Sequence, residues 1–166
     1  MRILGIDPGT LNMGYGVVDE TGGNSITMVC CGILSVPQKM PVEERLCILH
    51  DGLLKIILKY QPSEVAVEEP FVAGNVRSAL AIGRAQAIAI LAAAESKLPV
   101  FRYMPTQVKQ LVTSYGRSSK DQVQQVVKLQ LGVTDLPEAS DAADALAIAI
   151  CHLNQRHLNE ILKRGY

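Results

Sequence analysis

The sequence lacks several features that would place it in a specialised class of protein. It has no net charge at pH 7, no long apolar run, no low-complexity tract and no internal repeat. Its longest apolar stretch, residues 85–94, is flanked by charged residues and is too short to span a bilayer. Residues 1–7 run directly into a predicted strand and do not have the character of a cleavable signal. We therefore expect a cytoplasmic protein with a single domain, residues 1–166, and no membrane partner.

Cysteine is present, but not in a pattern that indicates metal binding or disulfides. Cys30 and Cys31 are adjacent, so on a strand their side chains point to opposite faces. Cys47 and Cys151 stand alone within helical patterns, and no Cys/His spacing typical of zinc sites occurs. With 48% apolar residues, a chain of 166 residues can bury one sizeable core without disulfides.

The zero net charge conceals an uneven distribution of charged residues. Residues 73–131 carry eight basic and two acidic groups, a net charge of plus six. The first 72 residues carry five basic and nine acidic groups (minus four), and the last 35 carry three and five (minus two). This separation favours a protein that offers a basic surface to phosphate and an acidic centre to metal ions.

The hydrophobic pattern predicts an α/β fold. Strands are expected at residues 2–6, 14–19, 25–34, 64–68 and 100–103, and helices from residue 41, over 75–97, over 106–114, over 119–131 and from 140. The turn signal at residues 21–24 joins strands in an antiparallel meander, whereas the later strands follow right-handed helical crossovers and are parallel. The sequence therefore predicts a five-stranded mixed sheet, a three-strand meander plus two parallel strands, flanked by helices.

Four acidic residues fall at the ends of predicted elements. Asp7 and Glu68 each close a buried strand, at the edge where open α/β sheets bind ligands. Asp141 and Asp144 lie three residues apart at the start of the last helix, and so share one face. Buried carboxylates require compensating positive charge. Because Mg²⁺ prefers carboxylate oxygens and metal pairs hydrolyse phosphodiesters, we expect two Mg²⁺ ions here, which Mn²⁺ can replace.

Each candidate also has a simpler interpretation. An Asp before Pro-Gly is often a turn residue, and Asp141 suits a helix N-terminus without any other role. Glu69 is an alternative ligand, because strand alternation turns only one of Glu68 and Glu69 toward the site. Lys109 and Lys120 could simply be solvated residues on helices, and Phe71 could be a core residue.

Four motifs around these residues resemble those of the RuvC crossover junction endonucleases, which belong to the RNase H-like superfamily. They are residues 5–10 with 14–16, residues 66–68 with Phe71 and Asn75, residues 107–109 with Lys120, and residues 140–147. The motifs occur in the family's order and cover nearly the whole chain. One departure is Gly74, which stands before Asn75 where many relatives have a basic residue; the resemblance therefore does not extend to one expected DNA contact, but the metal site is unaffected.

The resemblance implies an RNase H-like fold and an endonuclease that resolves four-way (Holliday) DNA junctions. Paired symmetric nicks would leave 5′-phosphate and 3′-hydroxyl ends during homologous recombination and DNA repair. The resemblance also implies that Asp7, Glu68, Asp141 and Asp144 hold the metals, and that Lys120 stabilises the charge that develops near the scissile bond. The residues expected to contact DNA are Phe71, Asn75, Arg77, Lys109, Arg117 and Lys120.

The resemblance further implies a homodimer that acts with the RuvA–RuvB branch-migration complex. Two other functions compete with this interpretation. Residues 7–10 also resemble the first phosphate loop of actin and sugar-kinase type ATP-binding proteins, but this chain is too short for their second domain. A non-catalytic junction- or RNA-binding relative is the third possibility, and the intact set of four acids argues against it.

Overall fold

The computed structural model describes residues 1–22, 25–69, 76–137 and 140–164. The strands are β1 (Arg2–Asp7), β2 (Asn12–Thr21), β3 (Ser25–Ser35), β4 (Glu64–Glu68) and β5 (Val100–Tyr103). The helices are α1 (Val42–Tyr60), α2 (Val76–Glu95), α3 (Pro105–Thr113), α4 (Lys120–Leu131) and α5 (Ser140–Arg164). All the predicted elements are present, in the predicted order.

The five strands form one mixed sheet in the order β3-β2-β1-β4-β5. Strands β1, β2 and β3 are an antiparallel meander, and β4 and β5 continue the sheet in parallel from β1. The predicted five-stranded mixed sheet is therefore confirmed. The register pairs Ile6 with Val67, which makes Asp7 and Glu68 the next residues along two neighbouring strands.

Helices cover both faces of this sheet. Helices α3, α4 and α5 share one hydrophobic core with the sheet, and α1 and α2 share another. Along β1 the side chains alternate between them, with Ile3 in the first core and Leu4 and Ile6 in the second. By the same alternation Asp7 points to the face covered by α5.

Helix α5 lies unusually close to β1 and β2, because glycines face it. A Cβ atom added at Gly5 would stand 2.1 Å from the carbonyl oxygen of Ala145, and one added at Gly14 would stand 2.0 Å from that of Asp141. Real Cβ atoms do not approach backbone atoms this closely. The two glycines therefore let the first half of α5 rest directly on the strands.

Helix α2 differs most from its prediction. It ends at Glu95, since Lys97 adopts a left-handed conformation with φ of 57°. Its predicted start, Asn75, lies outside the described residues. The sequence predicts core or dimer packing for a stripe of small and apolar residues, which are Ala79, Leu80, Gly83, Ala87 and Leu91. Leu80 and Leu91 are exposed in the single chain, so they are not core residues, and the opposite face is buried through Ala85, Ala89, Ala92 and Ala93.

The same helix bears on the prediction that no segment could span a membrane. Among the described residues, the 20 residues of α2 are long and apolar enough to cross a membrane by length and composition alone. The sequence estimate of a shorter apolar stretch was therefore too low. Core helices pass the same test, and the buried alanines of α2 belong to the hydrophobic core that it shares with α1 and the sheet, so the observation is weak evidence for a membrane segment.

Candidate active site

Three of the four predicted acids form a tight cluster at the carboxyl end of β1. One carboxylate oxygen from each of Asp7, Asp141 and Asp144 lies within 4.8 Å of the other two. Asp7 ends β1, whereas Asp141 and Asp144 lie in the first two turns of α5. The close approach of α5 to the strands explains how residues more than 130 positions apart come together.

The fourth acid, Glu68, lies beside this cluster on β4. It lines a cleft of about 210 Å³ together with Asp144, Lys109 and Lys120. Glu69, the alternative ligand, turns away and approaches Arg102 at 3.7 Å. The Glu68 carbonyl oxygen also accepts a hydrogen bond from the side-chain amide of Gln86, at 3.2 Å. The structure thus places Glu68 in the cleft and Glu69 outside it.

Burial and mutual repulsion raise the pKa values of two of these carboxylates. Burial, reinforced by the negative charges of Asp144 and Asp141, raises the pKa of Asp7 to about 7. Burial and the charges of Asp7 and Asp144 likewise raise the pKa of Glu68 to about 7. Both groups are therefore held where ionisation is unfavourable unless positive charge is brought to them.

Two lysines supply part of that positive charge. Lys120 begins α4 and places its ammonium group 2.5 Å from a carboxylate oxygen of Asp144. Burial lowers the pKa of Lys120, but the hydrogen bond and charge of Asp144, with the charges of Asp7 and Asp141, raise it overall. Lys109 on α3 lines the same cleft, and its charge partly offsets the raised pKa of Glu68.

The remaining predicted DNA contacts are not gathered as tightly. Arg117 is exposed in the loop before α4, and Arg77 is exposed in the first turn of α2. Neither is among the residues that line the cleft. Phe71 and Asn75, and the departure at Gly74, lie outside the described residues.

Sequence reasoning missed the groups that hold the loop before Lys120. The Thr113 and Ser118 hydroxyls lie 2.6 Å apart, and Ser118 also donates to the Tyr115 carbonyl at 2.8 Å. Ser118 is only 4% exposed. The side chain of the next residue, Ser119, caps α4 by accepting a hydrogen bond from the backbone N–H of Gln122. Only the Ser119 cap was evident in the sequence, because the other contacts depend on how the loop folds back.

Known proteins share both the sequence and the fold. The family model described as crossover junction endodeoxyribonuclease RuvC matches residues 3–152. The crossover junction endodeoxyribonuclease RuvC of Dehalococcoides mccartyi is 50% identical over 165 residues, which cover 99% of this chain and 98% of the relative. The chain belongs to the RuvC family.

Two solved structures of Thermus thermophilus RuvC support this assignment. One superimposes with a TM-score of 0.87 at 33% identity, covering 96% of this chain and 97% of that one. The other, a complex with Holliday junction substrate, gives a TM-score of 0.86 at 32% identity, covering 95% and 96%. The RNase H-like fold and the crossover junction endodeoxyribonuclease class are thereby confirmed. The ATP-binding and non-catalytic alternatives are not supported.

Proposed function

We propose that this RuvC-family chain binds four-way DNA junctions and hydrolyses one phosphodiester bond per subunit in the cleft described above. The observation that carries this proposal is the convergence of Asp7, Asp141 and Asp144 within 4.8 Å, with Glu68 lining the same cleft. Four carboxylates gathered from two strands and one helix cost stability, and acids with raised pKa values in a cleft are typical of functional sites.

The residues present fit a pair of hard divalent cations. The donor set consists of carboxylate oxygens alone, which suits Mg²⁺ or Mn²⁺ and not zinc or copper. Lys120 forms an ion pair with Asp144, and the pKa values of Asp7 and Glu68 stay raised despite its charge, which indicates that negative charge remains uncompensated. Asp7, Glu68, Asp141 and Asp144 would hold the ions. When bound, two such ions supply positive charge to the phosphate oxygens and lower the pKa of the attacking water.

The two lysines would act on the phosphate itself. They lie on different helices, and both line the cleft that contains Glu68 and Asp144. A phosphate entering this cleft would accept charge-assisted hydrogen bonds from Lys109 and Lys120. Lys120, already beside the acids, would stabilise negative charge that develops on the phosphate oxygens as the bond breaks. Arg77 and Arg117, with Phe71 and Asn75, would contact the arms and the crossover of the junction.

Two nicks on symmetric strands require two active sites, so we infer a homodimer. Helix α2 carries an exposed apolar face, with Val76 at 61%, Leu80 at 58% and Leu91 at 47% exposure. A Cβ added at Gly83 on this face meets nothing within 4 Å, which leaves room for another chain to approach. Action in the cytoplasm with the RuvA–RuvB complex, in recombination and repair, remains part of this proposal.

A synthetic four-way junction tests the proposal directly. With Mg²⁺ or Mn²⁺ we expect paired nicks in strands of like polarity with 5′-phosphate and 3′-hydroxyl ends, and no cutting in EDTA or of a linear duplex with the same sequence. Asp51→Asn is a matched control, because Asp51 lies on the exposed side of α1, with its side chain 68% exposed. Metal-independent cutting, or equal cutting of linear duplex, would rule out the proposed mechanism.

A further inference from the structure

A buried polar network lies on the α5 face of the sheet and links the start of β4, which is the end opposite the acidic cluster, to the end of β5 beside Glu68. His152 of α5 is 1% exposed and lies at the centre of this network. Its Nδ1 atom is 2.7 Å from the Tyr103 hydroxyl at the end of β5, and its Nε2 atom is 2.6 Å from a Glu64 carboxylate oxygen at the start of β4. The other Glu64 oxygen accepts from Arg156 at 2.7 Å.

The network has one consistent arrangement of protons. Burial lowers the pKa of His152, which outweighs the opposing effect of Glu64, so the imidazole is neutral. Burial raises the pKa of Tyr103, whose phenol remains protonated. Tyr103 therefore donates to Nδ1, while the Nε2–H group of His152 donates to Glu64. A histidine ring meets both demands because it offers one acceptor and one donor on opposite edges.

The network and the acidic cluster connect the same two elements. Glu64 and Glu68 are the two ends of β4, and both point toward α5. Asp141 and His152 lie eleven residues apart on α5, which is about 16 Å and about three turns, so they occupy nearly the same face. The helix therefore meets β4 through acids at one end and through His152 at the other.

Between these ends, α5 packs on β1 and β2 through apolar contacts, which are not directional. Ala145 and Ala149 face Gly5, and the Leu146 side chain packs against Gly16 of β2. Hydrogen bonds are directional and weaken steeply when donor and acceptor shift. The His152 bonds thus oppose sliding of α5 along β4, which would change the separation of Asp144 from Glu68.

We propose that Glu64, His152 and Tyr103 are positioning residues of the metal centre, which fix α5 axially against β4 and β5. This inference rests on the proposed binding of divalent ions by the acidic cluster. Loss of the network would weaken metal binding even though no member of the network touches the ions. Groups that orient metal ligands from outside the coordination shell typically contribute about 10–100-fold in metal affinity.

Mn²⁺ binding to the full chain, measured by calorimetry and by the electron paramagnetic resonance of free Mn²⁺, tests this role. We expect His152→Leu to weaken binding by about tenfold. His152→Gln should recover most of the affinity, because its amide can still donate to Glu64. Tyr103→Phe removes only the hydroxyl and should weaken Mn²⁺ binding about threefold. If His152→Leu does not fold, Tyr103→Phe still tests the positioning role.

Asn154→Leu is the matched control. Asn154 lies two residues further along α5, and its side-chain amide donates to the Leu111 carbonyl of α3 at 2.9 Å and to the Gln130 side chain of α4 at 3.5 Å, so the lost bonds are to helices and not to β4. We expect it to lower the melting temperature but to leave Mn²⁺ affinity unchanged. The positioning role is wrong if folded Tyr103→Phe and His152 variants bind Mn²⁺ as the parent does, or if Asn154→Leu weakens binding equally. If the parent chain binds no Mn²⁺, the proposed metal centre itself fails, which is a different result.

Discussion

Asp7 occupies the position on which the candidate site depends. It ends the central strand, its neighbours in the cluster come from α5, and its charge acts on Glu68 of the adjacent strand. Burial and two nearby carboxylates make this position unfavourable for an anion, as the pKa of about 7 indicates. A residue maintained at such a cost is typical of a functional site and not of a turn.

We expect Asp7→Asn to abolish junction cleavage while preserving junction binding. The substitution removes one charge from the metal ligands but no group that contacts DNA, and it lowers the repulsion of phosphate by the site. The single-turnover cleavage rate should fall by at least about a thousandfold, and the dissociation constant for the junction should stay the same or decrease. Cleavage at the rate of Asp51→Asn would show that Asp7 holds no metal.

The pKa of Asp7 also predicts how stability depends on pH. Between about pH 4 and pH 7 the folded chain retains a proton on Asp7 that the unfolded chain has released. The folded state binds more protons in this window, so stability decreases as the pH rises through it, and the loss is complete above pH 7. Below about pH 4 both states are protonated and the contribution disappears.

Asp7→Asn should therefore stabilise the metal-free protein at neutral pH. We expect thermal unfolding in EDTA to shift upward by about 5 °C at pH 8, and by much less at pH 5. Glu68→Gln should show the same trend, since its pKa is also raised to about 7. An equal shift at both pH values would mean that the gain does not come from relief of a buried charge.

At the scale of secondary structure, the decisive feature is the close contact of α5 with β1 and β2. It brings Asp141 and Asp144 to Asp7, and it depends on the absence of side chains at Gly5 and Gly14. Because the opposing atoms are backbone carbonyl oxygens of α5, a methyl group added at either glycine would clash with them unless the helix moved away from the strands.

Gly5→Ala should consequently displace α5 and impair both stability and activity. We expect a loss of stability of at least about 2 kcal/mol, as for overpacking of a rigid site, together with weaker Mn²⁺ binding. Denaturant unfolding and Mn²⁺ titration would measure the two effects. Gly52→Ala is the control: its Cβ would meet the flexible Leu34 side chain at 2.9 Å, and an alanine in α1 gains helix propensity. A harmless Gly5→Ala would refute this account of the contact.

The order of strands and helices could be predicted because the local sequence signals for turns and helix ends are present at these positions in the structure. Turn residues separate short apolar runs, Ser119 caps α4, and Gly132 ends it in a left-handed conformation with φ of 65°. The positions of Asp7 and Glu68 followed from the same patterns, since parallel strands end at one edge. Asp141 and Asp144 could be placed together because helical spacing alone brings them to one face.

Other features depend on contacts that no local pattern contains. Strand alternation alone left Glu68 and Glu69 open, and only the family resemblance favoured Glu68; the contact of Glu69 with Arg102 appears only in the fold. His152 and Glu64 are 88 residues apart, so their hydrogen bond could not be inferred from a histidine within a helical pattern. The sequence left core and dimer packing open for one face of α2, because alanines surround the helix and periodicity then distinguishes its faces poorly.

For the whole molecule, the question is how the acidic cluster described in one chain would produce the paired cuts proposed above. The exposed face of α2 offers an answer, because Val76, Leu80 and Leu91 recur at helical spacing opposite the buried alanines. Large apolar residues that recur on one exposed helix face are typical of protein–protein contacts. A symmetric contact through this face would hold two clefts at a fixed separation, matched to strands of like polarity.

Leu80→Glu should therefore produce a folded monomer that cuts one strand at a time. Leu80 is 58% exposed in the single chain, so the charge costs the monomer little but would be buried, unpaired, between two copies. We expect light scattering to give half the parent mass, and a cruciform plasmid to yield nicked circles instead of linear product. Leu58→Glu is the control, since Leu58 on α1 is 76% exposed and lies outside this face. If Leu80→Glu remains dimeric and yields linear product at the parent rate, the subunits must meet through another surface, and α2 then requires a different partner.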